Sequence, residues 1–364
     1  MIKEKLLGER YRFKEASLPE NLGETERDAR IAFMEEIHSR GRYSDTKSCP
    51  FCGGSGFTKI SEVNKRGLPS EIVICDTCDA CFKSKLLDSA ANKYYYENIS
   101  YNLRGKRSSL SDLEECFNDR VNNFAYQRYR FIRHFVRMEP SDGIVIELGC
   151  NDGANLMPWK KDGFEVQGID LDPKMVEFGK GKGLNIVRGD LMSGELLSGK
   201  RPKLIMLSHV LGHVSDAHHL FDMISDALRP DGYIFIETPN IRTHGPVDPM
   251  KYFDMEFNYC FDTGSLNRLL DKHGFKNLYE DEYTRVICTP VSNNRGASYA
   301  GDIGLSPDKV AAGLYRFMIE AMRPIKTKLY YMLKAGESGR LRARLLASLY
   351  NRYFRHHYRS IERA

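Results

Sequence analysis

Two stretches of the chain place reactive residue types at spacings that imply chemistry. In the first, IVIE (144–147) is an apolar run ending in an acid. LGCNDG (148–153) follows, with Gly149 and Gly153, and FEVQGID (164–170) is a second apolar run ending in Asp170. That order reads as strand, glycine turn, helix, strand, acid. Glycines let backbone approach a ligand closely, and a helix N-terminus offers unpaired N–H groups. Asp170, at the carboxyl end of the second strand, is placed to accept two hydrogen bonds from a ribose diol. In the second stretch, CPFCGGSG (49–56) and IVICDTCDACF (72–82) hold five of the nine cysteines. Two C-x2-C turns joined by a hairpin make a ribbon in which four thiolates surround one zinc ion. The x2 spacing lets two sulfurs of one turn reach the same metal. Cys49, Cys52, Cys75 and Cys78 are the expected ligands, with Cys81 competing for the fourth place. Four sulfurs close the coordination shell, so the metal's expected role is structural. The alternative is a loop-rich segment of reduced cysteines.

The glycine spacing departs from the G-x-G-x-x-G dinucleotide fingerprint. Its E-x-G-x-x-x-G form (Glu147, Gly149, Gly153) resembles the S-adenosylmethionine (SAM) site of class I methyltransferases. The resemblance implies that Glu147 neutralises the methionyl ammonium, directly or through water. Gly149, Cys150 and Gly153 supply close backbone, and Asn151 and Asp152 bond the carboxylate or shape the turn. Asp170 holds the ribose hydroxyls and Leu171 lies under the adenine. In RGDL (188–191), Asp190 accepts from the adenine amine while the Leu191 N–H faces N1. In LIMLSHVLGHVSD (204–216), Ser208 and His209 border the methionine part. Methyl transfer is an in-line displacement, so the protein chiefly supplies alignment and desolvation. A base is needed only where the acceptor must lose a proton. The candidates are His213, His244, Glu256 and Tyr259, near the rim after the fourth and fifth strands.

These residues need a scaffold, and the hydrophobic pattern supplies one. Strands are expected at 144–148, 165–169, 185–188, 203–208 and 232–238, with helices near 153–162, 173–181 and 216–228. FKNLYEDE and YTRVICTPV read as an antiparallel pair after a helix around Leu266–Leu270. The expected fold is therefore α/β: a class I methyltransferase Rossmann-like seven-stranded sheet, a small N-terminal zinc-ribbon-like module and a helical C-terminal tail. Boundaries are set at 1–46 for a helical lead-in, 47–105 for the zinc module and aromatic linker, 106–291 for the SAM-binding domain, and 292–364 for a linker and basic helical tail. Within the lead-in, Thr25 and Asp28 read as a capping box for a helix to about Ser39. A helix over 108–137 is expected to cover the cofactor pocket. YYYENISYN (94–102) is either a packed linker or a wall of the acceptor site.

CPFC, CDTC, YYYENISYN, IELGCNDG and HVLGHVSD, in that order, resemble the bacterial nucleotide-sugar C-methyltransferases. Those enzymes carry a four-cysteine zinc domain, an aromatic linker and a class I SAM domain. They have a Tyr-His-Glu-His run just after the fifth strand, where this chain has Asp254-Met255-Glu256-Phe257. Only Glu256 matches, so the family's base is not carried over. The family carries a C-terminal Rossmann-like domain; the residues after 291 here are expected to form a linker and an Arg/Tyr-rich tail instead. The expected function is methyl transfer to a sugar, nucleotide-sugar or glycan acceptor in surface-polysaccharide or nucleotide-sugar metabolism, with O- and C-methylation both open. An RNA methyltransferase and a non-catalytic, zinc-stabilised assembly protein are the competing readings.

Bulk properties fit this picture. The chain has 364 residues, 41% hydrophobic and 28% charged, with net charge +5. That mild charge does not argue for nucleic acid. No apolar run approaches the roughly 18 residues that span a bilayer, and the polar start lacks a signal-peptide core. A cytoplasmic location is expected. The tail, with Arg340, Arg342, Arg344, Arg352, Arg355, Arg359 and Arg363, is expected to dock on the body or a second subunit, with an anionic membrane surface or an RNA contact as the alternatives.

Overall fold

A computed structural model of the chain describes residues 2–8, 11–14, 23–103, 110–242, 249–281 and 284–291, all within one compact unit. His244 and the tail from 292 onward lie outside the described residues.

The amino-terminal half builds a small antiparallel ribbon. β1 (Ile2–Glu4) pairs in parallel with β3 (Phe57–Val63), and β2 (Tyr43–Asp45) pairs with β6 (Lys85–Leu87). β3, β4 (Pro69–Cys75) and β5 (Cys81–Lys83) form an antiparallel meander. A helix over Glu24–Phe33, extended by a π-helical turn to His38, packs Phe33 and Ile37 against Tyr95, Ile99 and Met255. It starts at Gly23, whose N–H donates to the Glu26 carboxylate at 3.2 Å, and not at the Thr25–Asp28 box. The glutamate wins because its longer side chain folds back onto the helix entry, which is the second half of a capping box.

The larger sheet contains β7 (Val145–Leu148), β8 (Val166–Asp170), β9 (Ile186–Arg188), β10 (Leu204–Ser208), β11 (Tyr233–Glu237), β13 (Phe275–Glu280) and β14 (Arg285–Pro290). Its order is β13-β14-β11-β10-β7-β8-β9, and only β14 runs against the others. β7 and β10 are apolar and buried almost end to end, as strands covered on both faces must be. The helices expected near 173–181 and 216–228 form at Pro173–Gly181 and Ala217–Ala227, each capped by an aspartate, Asp172 and Asp216. One continuous helical run over Leu110–Phe135 covers a face through Phe117, Val121 and Ile132. The strand order reverses beside β7, so the carboxyl ends of β7, β8 and β10 open the crevice where such sheets bind ligands.

β12 (Tyr259–Cys260) is not evident from the pattern, being only two residues long. It leaves the large sheet's loops and pairs with β5, adding a fifth strand to the ribbon. One hydrophobic core runs through both sheets, from Phe51, Val73 and Phe82 to Leu207, Leu211 and Ile236. Among the described residues, no helix is long and apolar enough to cross a membrane.

Candidate functional site

Glu147 ends β7 and is 1% exposed. Its Oε1 accepts from Asn155 Nδ2 at 2.7 Å, while Oε2 is buried without a hydrogen-bond partner among the described residues. Burial pushes the carboxyl up to about 8, against the hydrogen bond from Asn155 and the charge of Arg128. A buried acceptor left without a partner is costly, and an ammonium group would complete it. Asp170 ends the neighbouring β8. Its Oδ2 accepts from the Asn151 N–H at 2.7 Å and its Oδ1 from the Asp172 N–H at 2.9 Å. A carboxylate at the end of this strand is of the type that accepts from a diol. The two acids stand on adjacent strands, Glu147 opposite Gly168. These residues fit the cationic and ribose ends of SAM.

The turn between them is shaped by packing as much as by ligand approach. Gly149 has φ +68°, and a Cβ there would lie 2.3 Å from Val210 Cγ2. At Gly153 a Cβ would meet Leu184 Cδ1 and Ile186 Cδ1 at 2.7 and 2.8 Å. Gly149→Ala is therefore expected to lower stability by about 2–4 kcal/mol, from the left-handed backbone plus the overlap. Denaturant unfolding measures it, and an unchanged midpoint would contradict this packing. Asn151 takes φ +54°. Asp152 is buried, accepts from the Ala154 N–H at 3.3 Å and is ion-paired with Arg120 from the covering helix, so it holds the turn together. Cys150 is buried, and its Sγ would meet a Cβ on Gly168 at 2.4 Å. Leu171 is 47% exposed beside Asp170. Asp190 is exposed and caps the short turn that begins at Leu191, accepting from the Met192 N–H at 2.9 Å.

A second acid, missed in the sequence, ends β11. Glu237 is gripped by Arg128 from the covering helix, with Nε to Oε2 at 2.6 Å and Nη2 to Oε1 at 3.1 Å. Arg128 Nη1 also donates to Asn155 Oδ1 at 3.2 Å, which links Glu237 to Glu147. His209, directly after Ser208 at the end of β10, takes φ +56° and sets Nε2 3.2 Å from Glu237 Oε1. Burial alone would raise the Glu237 carboxyl; the hydrogen bond from His209 and the charge of Arg128 hold it well below the usual range.

The remaining base candidates separate. His213 packs its ring on Phe257 at 4.6 Å, with Nδ1 3.9 Å from Glu256 Oε2. Glu256 is buried and accepts from Ser100 Oγ at 2.7 Å, so the aromatic stretch reaches this corner. Tyr259 is 5% exposed, donates its hydroxyl to the Ser215 carbonyl at 2.9 Å and stacks edge-on with Phe51; burial pushes its phenol up to about 12. It packs in the core at the ribbon junction. A cleft lined by Thr238, Pro239, Ile241, Tyr252, Phe257, Tyr259 and Cys260 opens beyond β11.

The four cysteines Cys49, Cys52, Cys75 and Cys78 place their sulfurs within 4.8 Å of one another. The pairs Cys49–Cys78 and Cys52–Cys75 are each 3.6 Å apart. Four sulfurs about 2.3 Å from a tetrahedral zinc ion would stand about 3.8 Å apart, so the donor set fits. The N–H groups of Phe51, Gly54 and Thr77 point at Cys49, Cys52 and Cys75 sulfurs, each at 3.4 Å, as donors that steady thiolates. The turns repeat each other: Gly53 N–H bonds the Cys49 carbonyl and Asp79 N–H the Cys75 carbonyl, both residues with positive φ. Cys81 stands outside this cluster, paired across β5 and β12 with Cys260.

Residues 124–280 match the family model described as a methyltransferase domain. The C-methyltransferase NovU of Streptomyces niveus is 27% identical over 148 residues, covering 38% of this chain and 34% of NovU. The match thus spans about a third of that relative's length. Similar solved structures include a SAM-dependent methyltransferase from Archaeoglobus fulgidus, at 21% identity and TM-score 0.39, covering 58% of this chain and 91% of that one. Another is DesVI of Streptomyces venezuelae, at 13% identity and TM-score 0.41, covering 51% and 100%. Residues 124–280 thus carry a methyltransferase domain, on a seven-stranded sheet with the class I SAM-dependent methyltransferase order.

Proposed function

We propose that the chain transfers a methyl group from SAM to a sugar, nucleotide-sugar or glycan acceptor, and that its four-cysteine cluster holds a structural zinc ion. The observation that carries the first part is the buried, partnerless Oε2 of Glu147 one strand away from Asp170. One oxygen asks for a cation and the neighbouring carboxylate for a diol, which are two parts of the same nucleoside. When bound, SAM supplies the electrophilic methyl and its leaving group. The protein's own part is to fix that molecule through Glu147 and Asp170 and to exclude water with the covering helix.

The acceptor class rests on the order of cysteine ribbon, aromatic stretch and methyltransferase domain, and on the similarity to a C-methyltransferase. The loop after β11 bears on the acceptor atom. Asp254 is ion-paired with Lys65 of the ribbon, and the Met255 carbonyl accepts from the buried Lys83 ammonium. Of the segment Asp254–Phe257, that leaves Glu256, beside His213, as the titratable group near the crevice. O-methylation and C-methylation both remain compatible with this corner. Incubation with labelled SAM and a panel of nucleotide sugars and envelope glycans, followed by mass spectrometry, tests the proposal. A single methyl on a sugar oxygen or carbon is the expected result. Label in RNA alone, or in no acceptor while SAM binds tightly, would refute it.

A further inference from the structure

We infer that His209 is the base that takes the proton from the methyl acceptor, with Glu237 and Arg128 as its positioning residues; the inference rests on the methyl-transfer reading above. The geometry comes from three elements that the sequence keeps far apart. His209 leaves β10 in a left-handed conformation, φ +56°, and its own N–H is tied to the Glu237 carbonyl at 2.7 Å. Such a backbone is strained for a residue with a side chain, and conformations of this kind gather where a side chain must be aimed. It turns the imidazole toward the Glu237 carboxylate, with Nε2 3.2 Å from Oε1. Arg128 forks that carboxylate from the other side at 2.6 and 3.1 Å. The arginine keeps Glu237 ionised, and an ionised carboxylate only accepts. Nε2 must therefore carry the proton, which leaves the lone pair on Nδ1.

That nitrogen has no hydrogen-bond partner among the described residues, and the side chain is 49% exposed. It stands at the carboxyl edge of the sheet, on the strand next to that of Glu147. Neither other described aromatic candidate offers this. The ring of His213 is stacked on Phe257, and the Tyr259 hydroxyl is committed to Ser215. In the step proposed, a lone pair or carbanion on the acceptor atom forms the bond to the methyl carbon. The carbon–sulfur bond breaks with its electron pair left on sulfur, and the acceptor's proton passes to Nδ1. The imidazolium so formed is balanced by Glu237. The same base serves a hydroxyl or an acidic carbon.

His209→Asn is the variant of choice, because asparagine tolerates the left-handed backbone. SAM affinity by calorimetry is expected to stay within about threefold while kcat falls about 10²–10⁴-fold, the range for loss of a general base. A wild-type rate in the variant would overturn the inference. So would parallel losses of affinity and rate, which would make His209 a cofactor contact. A second readout needs no acceptor: ring nitrogen-15 shifts of His209 should show the Nε2–H tautomer in the wild-type protein. Glu237→Gln, which can donate as well as accept, should let the Nδ1–H form appear. An Nδ1–H tautomer in the wild-type protein would overturn this inference and leave the methyl-transfer reading standing. Absence of methyl transfer by the wild-type protein would instead overturn the reading of the previous subsection, and this inference with it.

Discussion

Replacing Glu147 by glutamine is expected to weaken SAM binding by about a hundredfold or more, the scale of removing one partner of a buried charge pair. The size of the effect follows from burial. Oε2 has no partner among the described residues and the side chain is 1% exposed, so water does little to replace the lost charge. The same burial fixes the pH dependence. The carboxyl of the SAM-free protein ionises only near 8, whereas its ordinary value is 4.5. At pH 6 to 7.5 it is mostly protonated, and a cationic ligand must drive off that proton. Affinity should therefore rise with pH through this window, by up to about tenfold per unit, with release of up to one proton on binding. The sign for folding is opposite. A carboxyl whose folded value is raised favours the fold below pH 4.5, and that contribution is lost as pH rises toward 8. Calorimetry in buffers of different protonation enthalpy reads the proton release, and Glu147→Gln should abolish it. Equal affinity in the variant, or affinity flat from pH 6 to 7.5, would remove Glu147 from the site.

Much of this site was legible because its chemistry is local. An apolar run, a glycine turn, a second run and an acid lie within thirty or so residues, about the length of one βαβ unit. The acid at the end of β11 was equally visible and was passed over. IVIE (144–147) and IFIE (234–237) are the same pattern, a buried strand ending in glutamate, and the sheet sets both at its carboxyl edge. What hid Glu237 is its partner: Arg128 lies 109 residues away, and no spacing rule links them. The glycines were recognised, but not their neighbours. Val210, in the loop after β10, and Ile186, on β9, fill the space beside Gly149 and Gly153. Cys81 illustrates the reverse case. Its spacing made it a rival for the metal, and only the pairing of β5 with β12 shows that it faces Cys260 instead.

The corner proposed for the acceptor draws on segments distant in sequence. Ser100 comes from the aromatic stretch, His213 from the loop after β10, and Glu256 from the loop after β11. The loop carrying Glu256 is fastened to the cysteine ribbon by Lys65, by Lys83 and by the pairing of β12 with β5. Burial lowers the Lys83 ammonium to about 8, with Asp254, Cys260 and Glu256 opposing that shift. The ribbon therefore fixes where this loop runs.

Loss of the metal cluster should accordingly unfold far more than the ribbon. Read from sequence, the zinc module at 47–105 is a unit of its own. The structure gives no such separation. Phe51, between the first two cysteines, packs edge-on against Tyr259 and Phe261 at 5.7 and 5.6 Å. The Pro50 carbonyl accepts from His218, and the Cys78 carbonyl accepts from Arg268 at 2.7 Å. Cys49 and Cys75 themselves belong to the core that contains Leu207 and Ile236. A structural zinc site contributes about 10–16 kcal/mol in small domains, as much as the whole stability of about 5–15 kcal/mol of an ordinary fold. Cys75→Ser is therefore expected to lose the metal, and with it both the single cooperative thermal transition and SAM binding. Cys81→Ser, outside the cluster, should keep its metal. Elemental analysis, scanning calorimetry and SAM titration on the two variants decide the matter. A Cys75→Ser protein that melts at the wild-type temperature would refute a structural metal. Two separate transitions, with SAM binding intact after the first, would show that ribbon and methyltransferase sheet stand independently and that their shared core is not what holds the acceptor loop in place.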